Sequence, residues 1–600
     1  MKTLALALFS LLICTTVDAQ DKRLKGIDKE LNKILETTNA AGFAVAVVEG
    51  DKIIYAKGFG YRDYENKVPA DANTLFAIGS STKAFTSSIL GLLREDDKLS
   101  FDDNPRKYIP ELEFYNNDLN NNLIIKDLMR HSSGIPRHDG SWYFFPTHDK
   151  DSLIMRLKYQ EPFTGIRQQW YYNNFGFLIQ GVIAEKITGK SWEDNIRDHF
   201  FKPLGMNRSN ATIAEMKASS NAAFGYELKE NGSIRKMDYY DIAAMSPAGS
   251  INSSVNDMSK WITLWLQNGK FNDEQILSEN YIKEAMSAQM VMGGGVPDEK
   301  FPDIHFSSYG YGWMMQSYKG HYRVEHGGNI DGFSASVAFY PTDNIGIVVL
   351  ANQNGSSVPS LARNTIADRM LDEERTDWVG RYAENLEKSK KAQEDAKNDS
   401  KTANVKNTKP SHIKQDYTGS YENKGYGKFE VIVENDTMFT QLNTKRQYLH
   451  HFHYDTFELI DVVDGKVDTT GIGQSLKITF NTNDAGDISE AKISIEPTVD
   501  AITFDRTPNT IDVDTKTLES YTGAYELAGT EIKVYTKEET LYLFVAGQPE
   551  YELVATAKHK FSFKALDGFK VEFLESEDGQ INQLKAIQPN GIFTATRKKE

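Results

Sequence analysis

A break in composition past the middle of the chain constrains its fold more than any other feature. From Glu384 to about Lys409 the stretch ENLEKSKKAQEDAKNDSKTANVKNTK holds almost no large apolar residue, and Pro410 closes it. Such a run builds no core and reads as a linker or an exposed charged helix, placed at 381–412. The parts on either side must each bury their own apolar surface.

The part beyond it opens on a repeat. YTGSYE begins at Tyr417 and YTGAYE at Tyr521, and each leads into short alternating segments. In the second copy IKVYT, LYLFV, YELVA and KFSFKA follow the two-residue period of half-buried strands. The expectation is two related β-modules, 413–508 and 514–600, or one barrel built from both halves.

The part ahead of the linker mixes strands and helices. GFAVAVVEGDKIIYAKGFGYRD reads as two strands around the turn Glu49-Gly50-Asp51-Lys52, and YRVEHGGNIDGFSASVAFYPTDNIGIVVLANQNG as three more. Helical spacing lies between them, at Phe85, Ile89, Leu92 and Leu93. SVPSLARNTIADRML follows as a further helix. Strands early and late with helices between predict an α+β domain, 20–380, whose sheet joins both ends of the sequence.

The first residues, MKTLALALFSLLICTTVDAQ, read as a secretory signal. Lys2 is the charged start, Leu4 to Cys14 the apolar core, and Val17-Asp18-Ala19 a cleavage site, giving a signal peptide at 1–19. The alternative is an N-terminal anchor, for which the apolar run is short. Cys14 is the only cysteine, so a mature chain holds no disulfide, catalytic thiol or thiolate-bound metal. No later stretch is long and apolar enough to span a bilayer. The expected location is the bacterial periplasm or the outside of the cell, with no membrane insertion after signal cleavage. The formal net charge of −16 lacks the electrostatic footprint of a nucleic-acid or anionic-membrane binder.

FAIGSSTKAFTSSILGLL places Ser80 three residues before Lys83 at the mouth of a helix. Residues three apart share a helix face, so the Lys83 amine can reach the Ser80 hydroxyl. Unpaired N–H groups and the positive dipole end there favour a developing oxyanion. A partly buried lysine is a base near neutrality. The competing reading is a serine cap beside an exposed lysine. The pattern S-x-x-K is weak alone, since it also begins at Ser233, Ser411 and Ser489. In WYYNNFGFLIQGVIAEKITGK, Tyr172 can carry a proton and Asn174 can hold a substrate amide at the entry to an amphipathic helix; the plain reading is an aromatic at a helix entry. In EHGGNIDGFS, Gly327 and Gly328 after His326 permit close approach to the backbone, and an N–H near Asn329 can complete an oxyanion hole with that of Ser80; the plain reading is a hairpin with an incidental histidine.

The ordered trio Ser80-Ser81-Thr82-Lys83, Tyr172-Asn173-Asn174 and His326-Gly327-Gly328 resembles the serine β-lactamase and penicillin-binding-protein superfamily, in its class C-like branch of β-lactamases, esterases, D-amino-acid peptidases and acyltransferases. LMRHSSGIP, KPLGMNRS, SPAGSINSSVNDMSKW and YGYGW match that branch in order, so the likeness covers about residues 25 to 375. The β-repeats are similar to its accessory domains. The resemblance implies a β-lactamase/transpeptidase-like α+β catalytic domain, an antiparallel sheet flanked by helices, followed by C-terminal all-β modules. It implies Ser80 as acylated nucleophile, Lys83 as base, Tyr172 sharing the proton, and Asn174, His326, Gly328 and Asn329 at the substrate. His326 stands where β-lactamases have the lysine of K-T-G. Histidine is mostly neutral at pH 7, so a neutral ester, amide or peptide gains weight over a carboxylate-bearing β-lactam.

The expected protein is a secreted serine hydrolase with no cofactor or metal, acting through an acyl-Ser80 intermediate on a small-molecule or peptide substrate, an ester, amide or peptide of the D-amino-acid-peptide or β-lactam-like kind, with homo-oligomerisation through the C-terminal modules an option. The alternatives are an acyltransferase or esterase of the same fold and a non-catalytic acyl- or peptidoglycan-binding sensor. Other features carry less. In LHHFHYDTF, His451 and His453 share a strand face and His450 points away, which suits structure better than a metal. MGGGVP reads as a flexible loop without a phosphate-loop pattern. His131 in HSSGIP suggests a Ser-His triad, but no G-x-S-x-G elbow accompanies it.

Overall fold

The strand Gly42–Glu49 is buried along nearly its whole length, so both of its faces need cover. Phe43, Val45 and Val47 share one core with Leu31 and Ile34 of the helix Ile27–Thr38 and with Leu361 and Ile366 of the helix Val358–Met370. The helix Val255–Leu266 covers the other face. This computed structural model describes residues 21–598 except Tyr240, Lys300, Phe301, Asn443, Thr444, Pro508 and Asp567. The expected signal peptide lies outside the described residues.

The main sheet has nine strands, antiparallel throughout. Their order is Met290–Gly294, Phe306–Tyr309, Met314–Tyr318, His321–Ile330, Phe333–Tyr340, Ile345–Ala351, Gly42–Glu49, Lys52–Asp63 and Val68–Pro69. Val45 faces Val349, so the sheet joins the two ends of the domain as expected. Helices flank it, which is the α+β architecture anticipated above.

Two local expectations need correction. MGGGVP is not a loop throughout: Met292 to Gly294 end the edge strand, where Gly293 pairs with Ser307 and Gly294 with Phe306. Backbone pairing to a neighbour outweighs the poor strand propensity of glycine. The helix Phe175–Thr188 is not amphipathic, for every residue from Phe175 to Ala184 is buried. Its polar Gln180 is accommodated by Ser87, whose hydroxyl donates to Oε1 at 3.0 Å. A helix enclosed on all sides loses the polar face that periodicity detects.

The described chain forms two compact units. One takes the residues up to Leu112, with Asp118–Gly134 and Thr164–Glu387; the other takes Glu113–Asn117, Ile135–Phe163 and the chain from Lys388 onward. The helix Trp378–Ala403 runs through the charged stretch.

The second unit contains two closed eight-stranded barrels, which decides between the two readings of the repeat. In the first, strands 419–423, 427–434, 437–442, 445–453, 456–463, 477–482, 488–493 and 502–507 pair in that order, and the last returns to the first. In the second, eight strands from Gly523 to Arg597 close likewise. The repeated hexapeptides do the same work in each. Tyr421 donates its hydroxyl to Tyr417 O at 2.8 Å, and Tyr525 to Tyr521 O at 2.8 Å. Arg506 of one last strand donates to Thr418 O and Ile488 O, and Arg597 of the other to Thr522 O and Ile581 O.

The segment Ile135–Phe163, drawn from within the stretch expected to be catalytic, belongs to this second unit. Phe145 is part of the core of the first barrel beside Phe429 and Phe504. Ser141 donates its hydroxyl to Gly425 O at 2.7 Å, and Gly140 N–H donates to Glu496 Oε1 at 3.1 Å. The three histidines of LHHFHYDTF have separate partners: His450 meets Glu458, His451 meets Tyr454 O and His453 meets Val405 N.

Candidate active site

Ser80 lies in a tight turn, Gly79–Thr82, of the 3-10 type, and the helix Lys83–Glu95 follows directly. The preceding Phe76–Ala77 pairs with Asn252–Ser253, and Ile78 N–H donates to Ile251 O at 3.0 Å. The turn is thereby held at its entry. Its exit is fixed by burial, since Lys83 to Leu90 are all buried.

Lys83 is fully buried, and its amine donates to three oxygens. They are Ser80 Oγ at 3.1 Å, Asn174 Oδ1 at 2.8 Å and Ala248 O at 2.8 Å. An ammonium has three protons and fills this tripod. A neutral amine has two, which Asn174 and Ala248 can accept, and its lone pair then faces the Ser80 hydroxyl. The same geometry therefore accommodates both the ammonium and the free base. The amine also lies 4.8 Å from the centre of the Tyr172 ring and 5.3 Å from that of Phe177.

The strand His321–Ile330 runs against the serine turn. Gly79 has φ +52°, and a Cβ on it would come within 2.9 Å of Asn329 N. A Cβ on Gly328 would lie 1.8 Å from Ile78 O and 3.1 Å from Ser80 N. Only glycine on both sides allows this approach. It puts Asn329 N beside Gly79 and Ser80 N beside Gly328, at the same crossing of the two backbones. Ser81 fastens the crossing by donating its hydroxyl to His326 O at 3.0 Å. The Asn329 side chain is turned to other work, accepting from Ser334 Oγ at 3.0 Å and from Gly355 N–H at 2.8 Å.

His326 is buried, and both ring nitrogens are engaged. Nδ1 lies 2.6 Å from Gly327 O, which can only accept, so Nδ1 carries a proton. In the neutral ring Nε2 then accepts from Tyr309 OH at 2.9 Å. Burial and the neighbouring Lys83 charge lower the histidine pKa to about 4. Burial, with Tyr172 nearby, raises the Tyr309 pKa well above the usual phenol value. The ring is neutral at pH 7 and is not a stand-in for a cationic lysine.

All seven expected residues therefore meet around the Ser80 turn, His326 through its neighbours. Three neighbours of these residues carried no role in the sequence reading. Ala248 contributes a carbonyl from SPAGS, and Tyr309 opens YGYGW; both stretches were visible only as matched segments. His131 was set aside with the triad, for which the chain has no G-x-S-x-G elbow. It lies instead against Tyr172, with ring centres 4.4 Å apart.

Comparison with known proteins gives the family. The Beta-lactamase family model matches residues 27–369, more than half of the chain. The chain belongs to the β-lactamase family. This β-lactamase-family chain also matches a domain of unknown function, DUF3471, over residues 403–506. It is 25% identical over 458 residues to the unguisins hydrolase ungD of Aspergillus violaceofuscus, covering 70% of this chain and 79% of that one. It is 26% identical over 340 residues to protein flp of Staphylococcus aureus, covering 56% and 65%. The solved octameric penicillin-binding protein homologue from Pyrococcus abyssi superposes with a TM-score of 0.53 at 22% identity, over 80% of this chain and all of that one, a likeness of fold. The family is one of β-lactamase-fold hydrolases.

Proposed function

We propose that this chain is a serine hydrolase that works through an acyl-Ser80 intermediate on neutral esters, amides or peptides. The observation that carries the proposal is the buried Lys83 amine, held between Ser80 Oγ, Asn174 Oδ1 and Ala248 O. The neutral amine takes the Ser80 proton as Oγ attacks the carbonyl carbon, and the C–O bond to Ser80 forms. The oxyanion rests on the N–H groups of Ser80 and Asn329. As the tetrahedral centre collapses, the bond to the leaving group breaks and Lys83 returns the proton to it, with Tyr172 assisting. Water then attacks the acyl-Ser80 carbonyl, its proton passes through the same pair to Ser80 Oγ as the C–Oγ bond breaks, and the acid leaves with the serine hydroxyl restored. Asn174 orients the substrate while it holds Lys83.

The neutral, enclosed His326 supports the choice of substrate class. A β-lactam carboxylate finds no permanent cation at that position. The hydrolase name of the Aspergillus relatives supports water as acceptor. The N-terminal apolar segment with its Val17-Asp18-Ala19 ending supports export to the periplasm or beyond. No described helix is long and apolar enough to cross a membrane.

A substrate panel tests the reading. p-Nitrophenyl butyrate and an uncharged peptide amide should turn over at least tenfold faster, by kcat/KM, than nitrocefin, whose carboxylate is fixed. Preference for nitrocefin would contradict the substrate class. N-terminal sequencing of the exported protein should begin at Gln20.

A further inference from the structure

His131 is buried and sits in the left-handed region, with φ +59°. The turn it stands in is tied to Asp127, whose carbonyl accepts from Ser132 N–H at 2.9 Å and whose carboxylate is fully buried. Asp127 Oδ1 accepts from Ser132 Oγ at 3.1 Å, Arg130 Nη2 at 3.0 Å and Arg167 Nε at 2.9 Å, and Oδ2 accepts from Arg167 Nη2 at 2.7 Å. From this anchored place His131 holds the chain on both sides of Tyr172. Its carbonyl accepts from Tyr171 N–H at 3.0 Å, and its Nδ1 accepts from Asn173 N–H at 3.1 Å. An accepting Nδ1 puts the proton of the neutral ring on Nε2. The imidazole also fills the space between Tyr172, 4.4 Å away by ring centres, and Tyr309, 4.7 Å away. Tyr309 in turn holds His326.

We infer that His131 is a positioning residue that acts through Tyr172, fixing its ring and flanking peptides beside the Lys83 amine, which lies 4.8 Å from the ring centre. This rests on the acyl-Ser80 reading. A bond to the peptide nitrogen on each side of Tyr172, one from the His131 carbonyl and one from its ring, and the packing of the imidazole on the Tyr172 ring bracket the residue to which the proposed reaction gives the proton work. A structural histidine would need none of that focus. Displacement of a catalytic group by about 1 Å costs on the order of 100-fold in rate.

The test is a double-mutant cycle read by the pre-steady-state burst with p-nitrophenyl acetate, which separates the acylation rate constant from ester binding. His131→Leu should slow acylation about 100-fold and leave the apparent binding constant unchanged. His131→Asn, whose Oδ1 can take the place of Nδ1 and which tolerates positive φ, should lie about tenfold below wild type. In a Tyr172→Phe background either substitution should cost less than about twofold more, because its effect passes through the phenol. A wild-type burst rate in His131→Leu, or losses that multiply with Tyr172→Phe, would overturn the inference. If His131→Leu does not fold, the His131→Asn and Tyr172→Phe pair carries the same comparison. A wild-type chain in which no ester reagent ever acylates Ser80, as rapid-quench intact-mass measurement would show, would sink the acyl-Ser80 reading and this inference together, whereas multiplying losses sink only the latter.

Discussion

At the scale of single residues the account depends on how little room the site leaves. Gly328 is the clearest case, because a methyl there would lie 1.8 Å from Ile78 O. Gly328→Ala should lower the acylation rate constant by at least about 100-fold, since neither backbone can yield without moving an oxyanion donor. A stopped-flow burst measurement on the folded variant reads this directly. Lys83→Met keeps the length of the stem and removes the amine. Its acylation rate should fall by roughly 10² to 10⁴, the range for losing a positioned base. Ser80, Lys83, Tyr172 and the glycines around His326 were legible because each needs a particular residue type at a fixed spacing. Ala248 was not, since it offers only a carbonyl that any residue supplies. His131 was set aside with the triad reading, which lacks its elbow, and only the fold reveals that its Nδ1 faces a peptide N–H.

At the scale of elements, helix periodicity and strand alternation were legible where one face meets solvent. They were misleading for Phe175–Thr188, which is enclosed, and for Met290–Gly294, which pairs despite its glycines. Titration separates the two units. The pKa of His326 falls from 6.5 to about 4 on folding, so the unfolded chain binds more protons between those values. The stability this histidine contributes is present above pH 6.5 and lost as pH falls toward 4, by roughly 3 kcal/mol. His199, lowered by burial, has the same sign. In the second unit His138, lowered to about 4 by burial, is opposed by Glu496, raised to about 7 by burial. Glu496 contributes stability below pH 4.5 that is lost as pH rises through 7, so the two largely cancel. Six of the seven tryptophans belong to the first unit. Denaturant midpoints read by tryptophan fluorescence should therefore drop between pH 7 and pH 4.5, and His326→Asn should flatten the slope. An unchanged slope in that variant would contradict the burial of a neutral ring.

At the scale of the whole molecule, the charged stretch and the repeat announced a chain of more than one part, and the barrels confirm it. The place of Ile135–Phe163 was hidden. Nothing in its composition distinguishes a loop of the catalytic stretch from a piece of another core; only Phe145 among Phe429 and Phe504 reveals it. Phe145→Ala should destabilise the second unit by about 3 kcal/mol, the cost of emptying a buried aromatic site. Calorimetry of the full chain should show a transition moved down by several degrees. Truncation before the first barrel should leave Phe144 and Phe145 without their core. The fragment should then be less soluble than the full chain, as ultracentrifugation of the two expressed side by side would show. A truncated chain of undiminished solubility would mean that the segment finds cover elsewhere.

The most direct test of the central claim is intact-protein and peptide mass spectrometry after exposure to a fluorophosphonate. The account predicts one covalent adduct per chain, on the peptide that contains Ser80, and none in Ser80→Ala. No adduct on the wild-type chain, or an adduct that persists in Ser80→Ala, would contradict it.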